Sequence, residues 1–399
     1  MKSSLGFVLL SCASSLIFSG CAQLSLSTLN NTGTAAEMAA NPAGGRRTFE
    51  AREVWVKRTT TADILGFRKI NRMKPLLFKD LVIQANGMDG IGAYNKTTGQ
   101  EVWRTAIENG AEPSATLIND RLFVGASDGQ FYSLDASTGK IIWTFPTRIE
   151  TLSEPLLVEG VLYFLTGNNT LYALDAATGK QNWLYSRQDP SSLSIRGGSK
   201  PGYRNGTLYV GFSDGSIVAF LASTGAVKWE KQLSKNKKFR DLDSDPLVEG
   251  DFLYVLGYDD QTYCLRAATG EMVWKSDFGG YGSILLAGER IYFASTSGEF
   301  VALNKETGQK VWTYTLDQGV ATSASQHKGL IVFGESLGAL RILDARNGKS
   351  ISAFYPGRGI LSPPTIDDKA GAVYFISNEA NLYALKIGWV IPQHIPYLQ

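Results

Sequence analysis

Thr-Gly followed four residues later by Trp occurs at Gly99/Trp103, Gly139/Trp143, Gly179/Trp183, Gly225/Trp229, Gly270/Trp274 and Gly308/Trp312. A weaker copy stands at Asn347-Gly348, where Ser352 takes the Trp place. The successive glycines are 40, 40, 46, 45, 38 and 40 residues apart, a period that belongs to solenoids, propellers and arrays. At 399 residues the chain has the length of two ordinary domains, but one repeat architecture absorbs it all.

Each period reads as four short β-rich runs parted by turn residues. In the unit 154–183 these are Pro155-Leu-Leu-Val158, Val161-Leu-Tyr-Phe-Leu165, Thr170-Leu-Tyr-Ala-Leu174 and the stretch that reaches Trp183. Such a meander cannot bury both of its own faces. Copies stacked face to face around an axis bury them, and a closed ring leaves only short edges. The expected fold is therefore all-β: an eight-bladed β-propeller of four-stranded antiparallel blades over 51–388. Seven repeats lie between Gly99 and Ser352. An eighth, with Val373-Tyr-Phe-Ile376 and Asn381-Leu-Tyr-Ala-Leu385, lacks its last strand. The orphan run Glu53-Val54-Trp55-Val56 supplies that strand, so pairing the N-terminal strand with the last blade closes the ring.

The repeated letters have local work to do. Asp or Asn four residues before the glycine (Asn95, Asp135, Asp175, Asn304, Asp344) caps the turn, Gly takes a positive φ, and Trp anchors packing between blades. Leu221 and Arg266 replace the cap in two copies that keep Thr-Gly, so the cap helps the turn without being essential to it. The pattern Ala-x-Asp-x-x-Thr-Gly-x-x-x-Trp resembles the docking motif of quinoprotein-type (PQQ-like) propellers, from about Arg52 to Gly388. The dehydrogenases of that group carry acidic and Asn calcium ligands and a catalytic Asp, often beside adjacent cysteines. Here no cysteines are adjacent, and the acids recur at turn positions. Two histidines and three cysteines leave few ligands for a transition metal. Neither a nucleophile elbow nor a phosphate-binding loop occurs. The reading is thus non-enzymatic, with no catalytic, cofactor-binding or metal-ligating residue and no cofactor. Lys plus Arg (39) balance Asp plus Glu (37), which gives no chain-wide field to attract nucleic acid.

Lys2, an apolar run between Leu5 and Phe18, and small residues before Cys21 have the layout of a secretory signal peptide over 1–20, too short to span a bilayer. Phe18-Ser19-Gly20-Cys21 resembles a bacterial lipobox, with Phe where Leu is usual. The resemblance implies lipidation at Cys21; the alternative is ordinary cleavage that leaves Cys21 a plain thiol. Ala22, in place of the Asp that marks inner-membrane retention, implies the outer membrane. The polar stretch 21–50 reads as a tether, and 389–399 as a tail. Cys264, the remaining thiol, is expected to be a small buried hydrophobe in a strand.

Departures from the period mark the candidate site. Trp143 to Pro155 spans 12 residues, but Trp183 to Pro201 spans 18 and Trp229 to Pro246 spans 17. Pro-to-Tyr spacing within those blades is unchanged, so the extra residues lie in two successive inter-blade connections, which emerge on one face. The first holds Ser192-Leu193-Ser194-Ile195-Arg196-Gly197, the second a basic run over 235–240 and then Asp241-Leu242-Asp243-Ser244-Asp245-Pro246. Leu193 and Ile195 either form an interface or tuck onto the propeller. Asp241 and Asp243 either cap a turn before the strand or hold Arg196 across the loops.

Together with the lipobox and tether, these motifs are similar to the BamB family, lipoproteins of the outer-membrane β-barrel assembly machinery (the BAM complex). The resemblance implies that Leu193, Ile195, Arg196, Asp241 and Asp243 contact the POTRA domains of BamA. It implies a scaffold, lipid-anchored on the periplasmic side of the outer membrane, that aids folding and insertion of outer-membrane barrel proteins. The alternatives are a quinone-dependent dehydrogenase-like enzyme and another envelope binding propeller.

Overall fold

The computed structural model describes residues 48–61, 71–112, 115–151, 153–187, 198–234, 240–242 and 244–390. Eight sheets follow one another along the chain: 76–106, 116–146, 156–186, 202–232, 247–276, 280–315, 325–354, and 365–390 completed by Thr48–Arg58. They are blades 1 to 8. In each, four antiparallel strands run in order from an inner to an outer one. The inner strands of neighbouring blades touch around the axis. The ring closes as the sequence predicts: Thr48–Arg58 pairs antiparallel with Asn381–Val390, from Thr48 opposite Val390 to Arg58 opposite Asn381. The closure is slightly longer at both ends than the expected 51–388.

The core is not one mass but a slab in each seam between blades. Eight apolar clusters among the described residues each join two consecutive blades. Middle strands such as Val161–Leu165 and Thr170–Asp175 are covered on both faces and are almost wholly buried. The outer strand Gln181–Ser186 is covered on one face only, and it alternates. Stacked rings bridge seams, as with Phe131 on Phe164 at 4.1 Å and Phe300 on Phe333 at 4.3 Å.

The repeated tryptophan has a fuller part than a packing anchor. Its indole N–H donates to a carbonyl of the next blade: Trp55 to Lys96, Trp103 to Ala136, Trp143 to Ala176, Trp183 to Ala222, Trp229 to Ala267, Trp274 to Lys305 and Trp312 to Ala345, at 2.8 to 3.1 Å. The ring lies flat under the next blade's turn glycine. A Cβ at Gly225 would stand 2.7 Å from Trp183 Cε3, so the positive φ (74°) and the close approach both require glycine there. A one-residue bulge beside each tryptophan, as between Ala173 and Leu174, turns the side chain toward the seam. The caps form as expected: Asp175 Oδ1 accepts from Thr178 N and Oγ1, and Asn95 Oδ1 from Thr97 N and Thr98 N. At Leu221 and Arg266 the turn survives without a side-chain cap, on backbone bonds such as Gly225 N to Leu221 O and Gly270 N to Arg266 O, both 2.8 Å. Cys264 is buried in strand Thr262–Arg266, and burial pushes its thiol up to about 12.

Candidate partner-binding face

The expected lipidation residue Cys21 and, of the expected contact residues, Leu193, Ile195, Arg196 and Asp243 lie outside the described residues. Asp241 is described, and it is fully buried. What the structure supplies is the base from which the two long connections rise.

The first connection leaves blade 3 at Arg187, which is clamped onto blade 4. Its guanidinium pairs with Asp214 (2.5 Å) and Glu230 (2.8 Å) and lies over the Phe212 ring. Burial works against its charge, but the bonds to Glu230 and Asp214 outweigh that cost and raise its pKa. The second connection leaves blade 4 where Leu233 N and Ser234 N both donate to Gly215 O. It returns through Asp241 and Leu242: Leu242 N donates to Phe212 O, and Tyr258 N to Asp241 O, each at 3.2 Å. Leu242 is wholly buried and packs at Gly211, where a Cβ would lie 2.3 Å from its carbonyl oxygen. Phe212, in the turn after blade 4's second strand, thus serves both connections.

The far ends of the two connections are bonded to each other. Lys200, ending the first, donates its N–H to Asp245 Oδ1 of the second at 2.8 Å, and its ammonium pairs with Glu154 of blade 3. The other Asp245 oxygen accepts from the Ser283 hydroxyl of blade 6. Ser244 and Asp245 form a short parallel bridge with Gly282 and Ser283, and Ser283 N donates to Ser323 Oγ of blade 7. Lys74 of blade 1 feels both Glu154 and Lys200. Its pKa is lowered chiefly by burial, with Glu154 opposing. Groups from blades 1, 3, 4 and 5 interact directly only if they converge on the axis. Burial, the largest cause, pushes the Asp245 carboxyl up to about 6, with Ser283 and Lys200 opposing and Glu154 adding.

Sequence reasoning misses this polar axis, although a signal is present. Lys74, Glu154, Lys200 and Asp245 each stand immediately before a proline that opens an inner strand. The residue before proline is held extended, so four charged side chains occupy one repeat position at the mouth of the ring. Among the described residues no group of three or more side chains is placed to hold a metal ion. The face is a braced platform for two loops.

The family described as "Outer membrane protein assembly factor BamB" matches residues 87–314 and 250–388. The BamB of Kangiella koreensis is 32% identical over 330 residues, covering 80% of this chain and 84% of the relative. That of Escherichia coli K12 is 31% identical over 332 residues, covering 77% and 84%. A crystal structure of BamB from Moraxella catarrhalis superposes with a TM-score of 0.71 at 22% identity, over 84% of this chain and 100% of that one. Quinohemoprotein alcohol dehydrogenase from Comamonas testosteroni gives 0.70 at 14% identity, over 88% and 78%; that likeness is one of fold alone. With a matched family profile spanning most of the blades and relatives above 30% identity across most of both chains, the chain belongs to the BamB family of outer membrane protein assembly factors.

Proposed function

We propose that the protein is a non-enzymatic component of the BAM complex, anchored to the outer membrane on its periplasmic side by a lipid on Cys21. In this reading the face that carries the two long connections docks on the POTRA domains of BamA. Leu193, Ile195 and Arg196 supply the contact from the first loop. Asp243 acts beside them, and buried Asp241 acts by holding the second loop in place rather than by touching the partner. The observation that carries the reading is the common base of the two enlarged connections, tied together by Lys200 and Asp245 and clamped by Arg187. Loops held by a rigid scaffold lose less entropy when they bind. The outer strands, with half-exposed Ile141, Leu184 and Met272, offer edges on which extended segments of nascent barrel proteins can pair.

Co-purification of BamA with the wild type and with a Leu193→Ala/Arg196→Ala variant tests the docking surface. Loss of BamA with a folded variant is expected. Equal recovery from both rules out this loop as the main contact.

A further inference from the structure

The geometry points to an anion-binding cleft between blades 4 and 5, on the face opposite the long connections, that takes a small ligand bearing phosphate or carboxylate groups. The inference is independent of the docking reading above.

The repeat provides its own comparison. In two other seams the last residue of the inner strand is an acid that pairs across to the lysine just after the next blade's turn cap. Glu249 meets Lys305 at 3.0 Å, and Asp367 meets Lys96 at 3.2 Å. Between blades 4 and 5 the equivalent inner-strand residue is Arg204: it lies opposite Thr207 as Glu249 lies opposite Phe252. The lysine position is Ala267, and the cap before it is Arg266 where other repeats have Asp or Asn. Arg204 thus stands where blades 5 and 8 carry the acids Glu249 and Asp367, and Arg266 where most repeats carry an Asp or Asn cap, so two guanidinium groups share one seam.

These charges are not neutralised from within. Among the described residues neither Arg204 nor Arg266 enters an ion pair. Arg266 lies over the Phe252 ring at 5.1 Å, which leaves its N–H groups for another acceptor. Lys228 adds a third cation, donating to Thr207 Oγ1 at 2.8 Å. Asp251 and Glu271 also border the cleft without pairing with these cations.

The seam also has fewer polar ties than some of its counterparts. Tyr163, Tyr292 and Tyr374 each donate to a carbonyl across their own seams. Their equivalent, Tyr209, makes no such bond among the described residues, nor does Tyr254 in the next seam, and the Trp229 indole reaches Ala267 as its counterparts do in the other seams. Between blades 4 and 5 lies a cavity of about 570 Å³ lined by these groups, within the range of small-molecule sites. Two arginine forks and an ammonium around such a space match a multiply charged phosphate or carboxylate, since bidentate charge-assisted bonds to those groups are the strongest an arginine makes.

The test is calorimetric titration of the purified full chain with inorganic pyrophosphate and with citrate, at fixed ionic strength. The wild type is compared with Arg204→Ala, Arg266→Asp and, as a distant control, Lys79→Ala. Arg266→Asp restores the cap that Asp135, Asp175 and Asp344 provide, so it folds, which circular dichroism verifies. Saturable binding is expected, weakened about tenfold or more in each arginine variant and unchanged in the control. Absence of saturable binding by either probe overturns the proposal, as does binding that the arginine variants leave intact. Capture of the chain by phosphatidylglycerol vesicles without binding of the soluble anions also overturns it, in favour of a membrane surface.

Discussion

If the indole of one blade and the turn glycine of the next form a single device, their substitutions must be strongly non-additive. Gly225 has φ +74°, and a Cβ there would lie 2.7 Å from Trp183 Cε3 and 2.9 Å from Cδ2. Gly160 has the similar φ of +80°, with nothing within 4 Å of the place a Cβ would take. Gly160→Ala therefore reads the backbone cost alone, about 1 kcal/mol for an alanine held in the left-handed region. Gly225→Ala carries that cost and also displaces the indole. The displacement loses the 3.0 Å bond to Ala222 O, about 1 kcal/mol, and part of the ring's packing, roughly another 1 to 2 kcal/mol. The expected cost of Gly225→Ala is thus about 3 to 4 kcal/mol. With Trp183→Ala, itself about 3 to 5 kcal/mol, the obstacle is gone and Gly225→Ala adds only its backbone cost. A double-mutant cycle from urea denaturation, followed by far-UV circular dichroism, should give a coupling of about 2 to 3 kcal/mol. Equal costs for Gly225→Ala with and without Trp183 would refute the reasoning, and so would a Gly160→Ala as damaging as Gly225→Ala.

Two further perturbations probe half-buried Asp245 and buried Glu335. Asp245 has a pKa raised from 3.8 to about 6. A carboxyl raised on folding contributes stability that is fully present below its unfolded pKa, about 4, and is lost as pH rises through about 6. Asp245→Asn should therefore raise the urea midpoint at neutral pH and flatten its fall between those limits; a variant that tracks the wild type across the window sinks the assignment. Glu335, 1% exposed, accepts from Arg341 Nε at 2.8 Å and from Ala339 N at 3.0 Å. Glu335→Ala leaves a buried guanidinium with only exposed Asp317 beside it and should cost about 3 to 5 kcal/mol. Asp317→Ala should cost less than about 1 kcal/mol, and denaturation midpoints that rank the two the other way would refute the burial argument.

The ring was legible because its causes are local. A glycine at positive φ, an Asx cap and an anchor tryptophan lie within one short stretch, and their repetition at a near-constant interval fixes the blade number. Even the closing strand could be read, since Trp55 stands in the eighth blade where the motif lacks its own tryptophan. The seams were less legible, because they join residues a whole period apart. That an indole donates to the carbonyl after the next cap, as Trp103 does to Ala136, requires the stacking distance between blades. The axial charges come from four different blades, so no local window contains them, although their shared place before proline was visible.

Blade 7 shows how such hidden terms compensate. Elsewhere the tryptophan lies opposite a small residue of the neighbouring strand: Trp103 opposite Ala93, Trp143 opposite Ser133, Trp183 opposite Ala173, Trp274 opposite Cys264. In blade 7 Ser352 takes the tryptophan place, and its partner is Ile342. Bulk has crossed the strand pair, the kind of volume exchange that a packed core tolerates. The same register explains Cys264 as a small residue beneath Trp274, with no need of redox chemistry. A lapse in the motif therefore carries two different meanings. Where a neighbour has changed to match, as at Ser352 and Ile342, the lapse is structural. Between blades 4 and 5 the residues that change, Arg204 and Arg266, do not compensate each other, since both place positive charge in one cleft. That pair of like charges separates the cleft proposed above from the matched exchange in blade 7.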